Sequence, residues 1–275
     1  MSESSIPTRP AAFSYPGHGA NADVGVAVCH GFTGSPLSVL PWADYLASRG
    51  YAVTVPLLPG HGTDWRDLAR HGWQDWYGAF EDAYLRLADN TRDCFVAGLS
   101  MGGTIALRTA ARHQVAGVAV VNPGLSFYDR RVRYIGVLKY LQRTTVPLQE
   151  TESTAAATDD GDYSLTPLRA VHQLRKLFSA TLRELPAVKA PALVFKSETD
   201  AVVPPSSLAL LQGRLGSPDL AVVRLPDSGH VATLDVDAPR IFAQSERFFR
   251  DHATRSGAAG VGPEMAAQPG RPEQQ

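Results

Sequence analysis

Gly98-Leu99-Ser100-Met101-Gly102 places a serine midway between two glycines. The five-residue pattern alone is weak, but its surroundings make it specific. An apolar, strand-like run ends at Gly98 and a helical pattern opens at Met101. A serine on such a sharp strand-to-helix turn presents its hydroxyl at a helix N-terminus, where developing negative charge is favoured. Gly98 and Gly102 leave room for the turn to pack, and Gly103 extends that clearance. Ser100 is therefore read as a nucleophile rather than a helix-capping serine.

A serine hydroxyl is a weak nucleophile near neutral pH and needs a base and an orienting acid. On a strand-turn-helix site these follow in the order serine, acid, histidine, each just past a strand. Ser197-Glu198-Thr199-Asp200 follows one strand-like run, and Ser228-Gly229-His230 follows the next. Of the 8 histidines only His230 and His252 come after Asp200, and His252 ends the last helical pattern. His230 is the candidate base. The acid is Asp200 or Glu198. Asp200 is preferred because it directly precedes Ala201-Val202-Val203 and a Pro-Pro pair that would open the next helix.

Acyl transfer also needs donors for an oxyanion. The backbone N–H of Met101, next to the serine, is one candidate. The second is the N–H of Phe32 in the loop Cys29-His30-Gly31-Phe32-Thr33-Gly34, which directly follows an early strand. By adjacency to these motifs, Phe32, Met101, Leu125, Phe127, Val202 and Val231 would flank an acyl group. His30 and His61 are read as shaping their loops.

The elements that must position these groups can be read coarsely. Strand-like runs fall at 24–29, 51–55, 94–97, 116–121, 192–196 and 220–225, and continuous apolar runs suit parallel strands buried on both faces. Helical patterns lie between them at 38–49, 73–88, 101–112, 206–215 and 237–249, with Gly50 as a C-terminal stop. The alternation predicts an α/β sheet with helices on both faces. The rhythm breaks over 125–185, which has a basic aromatic start, an acidic run at 150–162 and a helix at 167–185; this stretch is expected to form a cap or lid. The core is expected over 11–124 and 186–254, with a flexible start at 1–10 and a disordered tail at 255–275.

Composition sets the outer bounds. The chain has 275 residues, 44% of them hydrophobic and 19% charged, which is globular. With 26 Lys and Arg against 27 Asp and Glu it carries no overall attraction for nucleic acid. Neither of the 2 cysteines sits in a zinc-binding pattern, and no metal or cofactor is expected. No apolar stretch resembles a signal peptide or a membrane span, so a cytoplasmic location is expected.

HGFTG at 30–34, PGHG at 59–62, the Trp73-Gln74-Asp75-Trp76 stretch, GLSMGG, TDAVVP and SGHVATLD occur in an order that resembles the α/β-hydrolase superfamily. Within it the chain looks most like small bacterial carboxylesterases and monoacylglycerol lipases, from about residue 24 to 249. The resemblance implies a mostly parallel sheet, a Ser100–Asp200–His230 triad, oxyanion donors at Phe32 and Met101, and a small cap. It implies metal-independent hydrolysis of carboxylic esters with modest acyl chains, or of glycerol monoesters, through an acyl-enzyme. The partner is then a small ester, with at most transient lipid contact through the cap. An acyltransferase or C–C hydrolase would use the same triad, and a non-catalytic member of the fold is the remaining alternative. Only one short candidate, 12–15, precedes the strand at residue 24, so about seven strands are expected. If 24–29 and 94–97 are parallel neighbours, Cys29 and Cys94 lie on the order of 10 Å or more apart, too far for a disulfide. Cys29, beside the oxyanion loop, is expected to make the protein sensitive to thiol reagents.

Overall fold

Valine-rich runs form the sheet, and their alternation of side chains decides which helices cover it. The computed structural model describes residues 11–129, 132, 144–145 and 165–254. The segments 1–10, 150–162 and 255–275 singled out above lie outside the described residues, as does most of the basic aromatic stretch.

The strands are β1 (Phe13–Tyr15), β2 (Val24–Cys29), β3 (Ala52–Val55), β4 (Asp93–Leu99), β5 (Val118–Val121), β6 (Thr144–Thr145), β7 (Thr166–Pro167), β8 (Ala192–Ser197) and β9 (Leu220–Leu225). Seven of them form one sheet in the order β1-β3-β2-β4-β5-β8-β9. Only β1 runs antiparallel, on the edge beside β3. β6 and β7 form a separate antiparallel pair.

The main helices are α1 (Leu40–Ser48), α2 (Trp65–Leu68), α3 (Trp73–Ala88), α4 (Met101–Arg112), α5 (Leu168–Glu184), α6 (Pro205–Arg214) and α7 (Ala238–His252). Val24, Val26 and Val28 of β2 share one core with Phe95, Ala97 and Leu99 of β4, covered by Trp42 of α1 and Ile241 and Phe249 of α7. The alternate residues Ala27, Cys29, Cys94 and Val96 face the other core, with Trp76 of α3, Ile105 of α4, Leu177 of α5 and Leu211 of α6. Burial on both faces is why these strands read as unbroken apolar runs. Trp42 Nε1 donates to Ser245 Oγ at 2.8 Å, so a buried indole N–H and a buried hydroxyl satisfy one another and pin α1 to α7.

Several boundaries differ from expectation for visible reasons. α1 ends in a Schellman pair, Gly50 N–H to Ala47 O at 2.9 Å and Tyr51 N–H to Leu46 O at 3.3 Å, with Gly50 at φ +93°. That uses Tyr51 as part of the cap, so β3 starts one residue later. β4 begins at Asp93, whose carboxylate accepts from Thr254 N–H at 3.0 Å and so fastens the residues just after α7 to the sheet. α2 was not anticipated: four residues are too short for a periodic signal. Asp64 caps it, accepting from Arg66 N–H at 2.6 Å and Asp67 N–H at 3.1 Å.

Cys94 sits opposite Gly25 and Cys29 opposite Gly98, so the two cysteines are four rungs apart, and both are free and buried. At about 3.3 Å per residue that is roughly 13 Å. Burial pushes the Cys29 thiol well up and the Cys94 thiol to about 12. The expected thiol-reagent sensitivity at Cys29 is therefore corrected: a fully buried thiol that resists ionisation offers no thiolate to attack.

Candidate active site

Ser100 joins β4 to α4 at φ 56° and ψ −118°, a left-handed region that side chains avoid. Three backbone bonds hold it there: Ser100 N–H to Val121 O at 2.9 Å, and Thr104 N–H and Gly124 N–H to Ser100 O, each at 3.2 Å. The flanking glycines are required by space. A Cβ at Gly98 would collide with the Gly102 carbonyl, and one at Gly102 with the Cys29 carbonyl. The close approach of Gly102 to the end of β2 presses the His30–Gly31–Phe32 loop against the serine. A Cβ at Gly31 would lie 3.5 Å from Ser100 Cβ.

Ser100 Oγ lies 2.9 Å from His230 Nε2, and His230 Nδ1 lies 3.0 Å from Asp200 Oδ1. The hydroxyl donating to Nε2 and an Nδ1–H donating to the carboxylate form one consistent assignment. Asp200 Oδ1 also accepts from Val202 N–H and Val203 N–H, both at 2.9 Å. Glu198, the alternative acid, is exposed and its N–H pairs with Leu225 O. Burial alone would raise the Asp200 carboxyl, but the His230 hydrogen bond and charge, the Lys196 ammonium and the Val203 N–H outweigh it and hold it at about 2.

Four residues that sequence reasoning passed over build this arrangement. Lys196, at the end of β8, is 3% exposed and donates to Asp200 Oδ2 at 2.5 Å and to Val203 O at 2.8 Å. Asn122, fully buried at φ 45°, donates to His230 O at 2.8 Å and Ser197 Oγ at 2.9 Å while accepting from Ser197 N–H at 2.8 Å. Thr199 Oγ1 donates to Ser228 O at 2.8 Å, and Asp235 accepts from Gly229 N–H at 2.8 Å. The loops bearing Asp200 and His230 are thus tied to each other and to the tip of β5. The available sequence signals were a lysine inside an apolar strand, four residues before the aspartate, and an Asn-Pro-Gly turn after a valine run.

The N–H groups of Phe32 and Met101 have no acceptor among the described residues. Met101 opens α4, where the first N–H groups lack intrahelical partners. Phe32 packs with Phe127 against Leu168 and Val171 at the start of α5. Phe127 stacks on Phe178 of α5 at 4.9 Å between ring centroids. Leu125 is buried, its N–H donating to Ser207 Oγ at 3.1 Å. Val202 is half-buried beside Asp200, and Val231, also half-buried, packs on the α1/α7 side of the sheet. Of the six predicted flanking residues, Phe32 and Phe127 pack with α5, whereas Val231 packs in the core on the opposite face of the sheet. An open depression of about 390 Å³ lined by Trp73, Arg175, Lys176, Ser179, Ala180 and Arg183 includes none of Ser100, Asp200 and His230.

His30 and His61 take up the loop-shaping positions. His30 Nε2 accepts from Leu58 N–H at 3.2 Å, so its Nδ1–H donates to Gly31 O at 2.9 Å and the ring braces the loop that follows β2. Burial lowers the His30 ring to about 4, only partly offset by the Gly31 bond, and burial drives His61 well below its usual value. Unfolded histidine protonates near ~6.5. Between pH 6.5 and 4 the unfolded chain therefore binds more protons, and stability falls as pH is lowered through that window. At about 1.4 kcal/mol per tenfold in proton affinity, the His30 contribution is on the order of 3 kcal/mol. Urea unfolding at pH 4.5 and 7 should show this loss in the wild type and a smaller loss in His30→Gln. Equal losses in both would contradict it.

Among the described residues no three His, Cys, Asp or Glu side chains converge as metal ligands, and no helix is long and apolar enough to cross a membrane. The model of the "Alpha/beta hydrolase family" matches residues 26–245. The thermostable monoacylglycerol lipase of Bacillus sp. strain H-257 is 36% identical over 86% of this chain and 95% of that protein. The carboxylesterase of Bacillus subtilis strain 168 is 26% identical over 82% of this chain and 90% of that protein. A solved metagenome-derived lipolytic enzyme superposes with a TM-score of 0.82 at 31% identity, over 88% of this chain and 98% of that one. The seven-stranded, mostly parallel sheet with helices on both faces, a family match across most of the chain and a relative at this level of identity carry one conclusion: the chain belongs to the alpha/beta hydrolase family.

Proposed function

We propose that the protein is a serine hydrolase of small carboxylic esters, with short- to medium-chain acyl esters or monoacylglycerols as substrates. The observation that carries this reading is the unbroken hydrogen-bond chain from Ser100 Oγ through His230 to Asp200, at 2.9 and 3.0 Å. The relatives named monoacylglycerol lipase and carboxylesterase support the substrate class.

In this reading His230 Nε2 takes the Ser100 proton as Oγ bonds to the ester carbonyl carbon. The carbonyl oxygen becomes an oxyanion between the N–H groups of Phe32 and Met101. As the intermediate collapses, the C–O bond breaks and His230 gives its proton to the departing alcohol. Water then enters, loses a proton to His230 and adds to the acyl carbon; the bond to Ser100 Oγ breaks, His230 returns the proton to Oγ and the free acid departs. Asp200 keeps Nδ1–H oriented and stabilises the imidazolium throughout. The segment 125–185 acts as the cap, with Leu168 and Val171 of α5 facing Phe32 and Phe127 as the apolar wall for the acyl chain.

The test is a panel of p-nitrophenyl esters of graded chain length together with monoacylglycerols. Turnover should peak at short or medium chains, and each released acid should appear with one equivalent of alcohol. Product that accumulates as a transferred ester whenever a second alcohol is present, with little free acid, would favour an acyltransferase instead.

A further inference from the structure

Lys196 is a long, charged side chain near the end of β8, the strand next to the sheet edge, where it follows the apolar run Ala192–Phe195. Its ammonium is buried and has two acceptors, Asp200 Oδ2 at 2.5 Å and the Val203 carbonyl at 2.8 Å. Asp200 Oδ1 meanwhile faces His230 Nδ1 and the N–H groups of Val202 and Val203. The two oxygens of one carboxylate therefore serve different partners: one is held by Lys196, the other aims the imidazole.

We infer that Lys196 is a positioning residue for the triad: it locks the rotation of the Asp200 carboxylate and, by sharing its negative charge, lets His230 remain a free base at lower pH. This rests on the serine-hydrolase reading above. The first half follows from geometry. A carboxylate at the tip of a strand can turn about its last bond, and a fixed ammonium on Oδ2 prevents that. The second half follows from charge. Asp200 alone would favour the imidazolium form of His230. A compensating cation on the far oxygen, in a buried setting where interactions are poorly screened, weakens that preference.

Other charged groups around the pair are placed so as not to do this work. Glu198 on the same loop is exposed, as is Arg224, the register neighbour of Lys196 on β9. On the loop after β9, Asp235 is engaged by the N–H groups of Gly229 and Val236, Asp237 by that of Asp227, and Asp227 itself is exposed. On the Ser100 side, His30 and His61 are buried and held neutral. Among the described residues only Lys196 brings a positive charge onto the Asp200 carboxylate apart from His230 itself.

The experiment compares the wild type with Lys196→Met, which keeps the length and removes the charge. Lys196→Gln keeps a hydrogen-bond donor without charge, and Lys196→Arg keeps the charge. Active sites are first counted by titration with an organophosphonate, so that any misfolded fraction drops out of kcat. The acidic limb of kcat/KM for a p-nitrophenyl ester is then recorded. For Lys196→Met the limb should move up by roughly one pH unit, with kcat about tenfold lower and KM nearly unchanged. Lys196→Gln should show the same limb shift with a smaller loss of kcat, and Lys196→Arg should stay near the wild-type limb. If Lys196→Met does not fold, Lys196→Gln decides. Limbs that superimpose for the neutral variants and the wild type, after correction for active sites, would overturn the proposal. A wild type that hydrolyses ester without reacting with the phosphonate would instead break the underlying serine-hydrolase reading.

Discussion

Ser100→Ala should lower kcat for ester hydrolysis by about 10⁴-fold or more and leave the folded protein almost unchanged. The asymmetry follows from what the hydroxyl touches. Its recorded partner is His230 Nε2, and the strained backbone at φ 56° is held by main-chain bonds that alanine keeps. Loss of Oγ removes the atom that would bond to the acyl carbon and frees His230 Nε2 to meet water. Thermal unfolding should shift by no more than ~0.5–1 kcal/mol of stability, the usual range for a change that opens no cavity and strands no buried group. Near-wild-type hydrolysis by this variant, after purification away from host esterases, would remove Ser100 from the mechanism.

Asp200→Asn should be costly twice over. An amide cannot keep His230 in the working tautomer or stabilise its protonated form, so kcat should fall by about 10³- to 10⁴-fold. Unlike Ser100→Ala, this change also strikes stability. Lys196, 3% exposed, would keep a buried ammonium with no counter-charge. Removing one member of a buried ion pair typically costs about 3–5 kcal/mol. The double variant Lys196→Met/Asp200→Asn removes both charges and should recover most of that stability, because a neutral pair no longer leaves a stranded ion. It should not recover activity. Urea unfolding of the four proteins in the cycle, beside kcat for each, measures both parts. A double variant no more stable than Asp200→Asn would mean that the stability loss arises elsewhere than at the Lys196 ammonium.

What could be read from the sequence was local. The glycines around Ser100 are demanded by contacts within a few residues of the turn and across to the end of β2, and such demands leave a spacing signature. Unbroken valine runs announced strands covered on both faces. His230 stood out because a serine-glycine-histidine turn followed a strand. The supporting framework left no such signature. Lys196 follows four apolar residues in its strand, and a lysine there ordinarily marks a solvent-facing position. Its partner, four residues on, becomes visible only once the chain turns back over the strand end. Asn122 serves β8 and the His230 loop, 75 and 108 residues away along the chain. Leu168 and Val171 reach Phe32 across more than a hundred residues of sequence, so adjacency to motifs could not find them. Short elements such as α2 escape for another reason: four residues hold no periodicity.

The most direct measurement is intact-protein mass spectrometry after incubation with an organophosphonate, followed by peptide mapping, in the wild type and in Ser100→Ala. One phosphonyl adduct per chain, located on Ser100 and absent from the variant, is the expected result, with hydrolysis lost in step with labelling. A wild type that stays unlabelled while hydrolysing ester, or an adduct on another residue that tracks the loss of activity, would contradict Ser100 as the nucleophile.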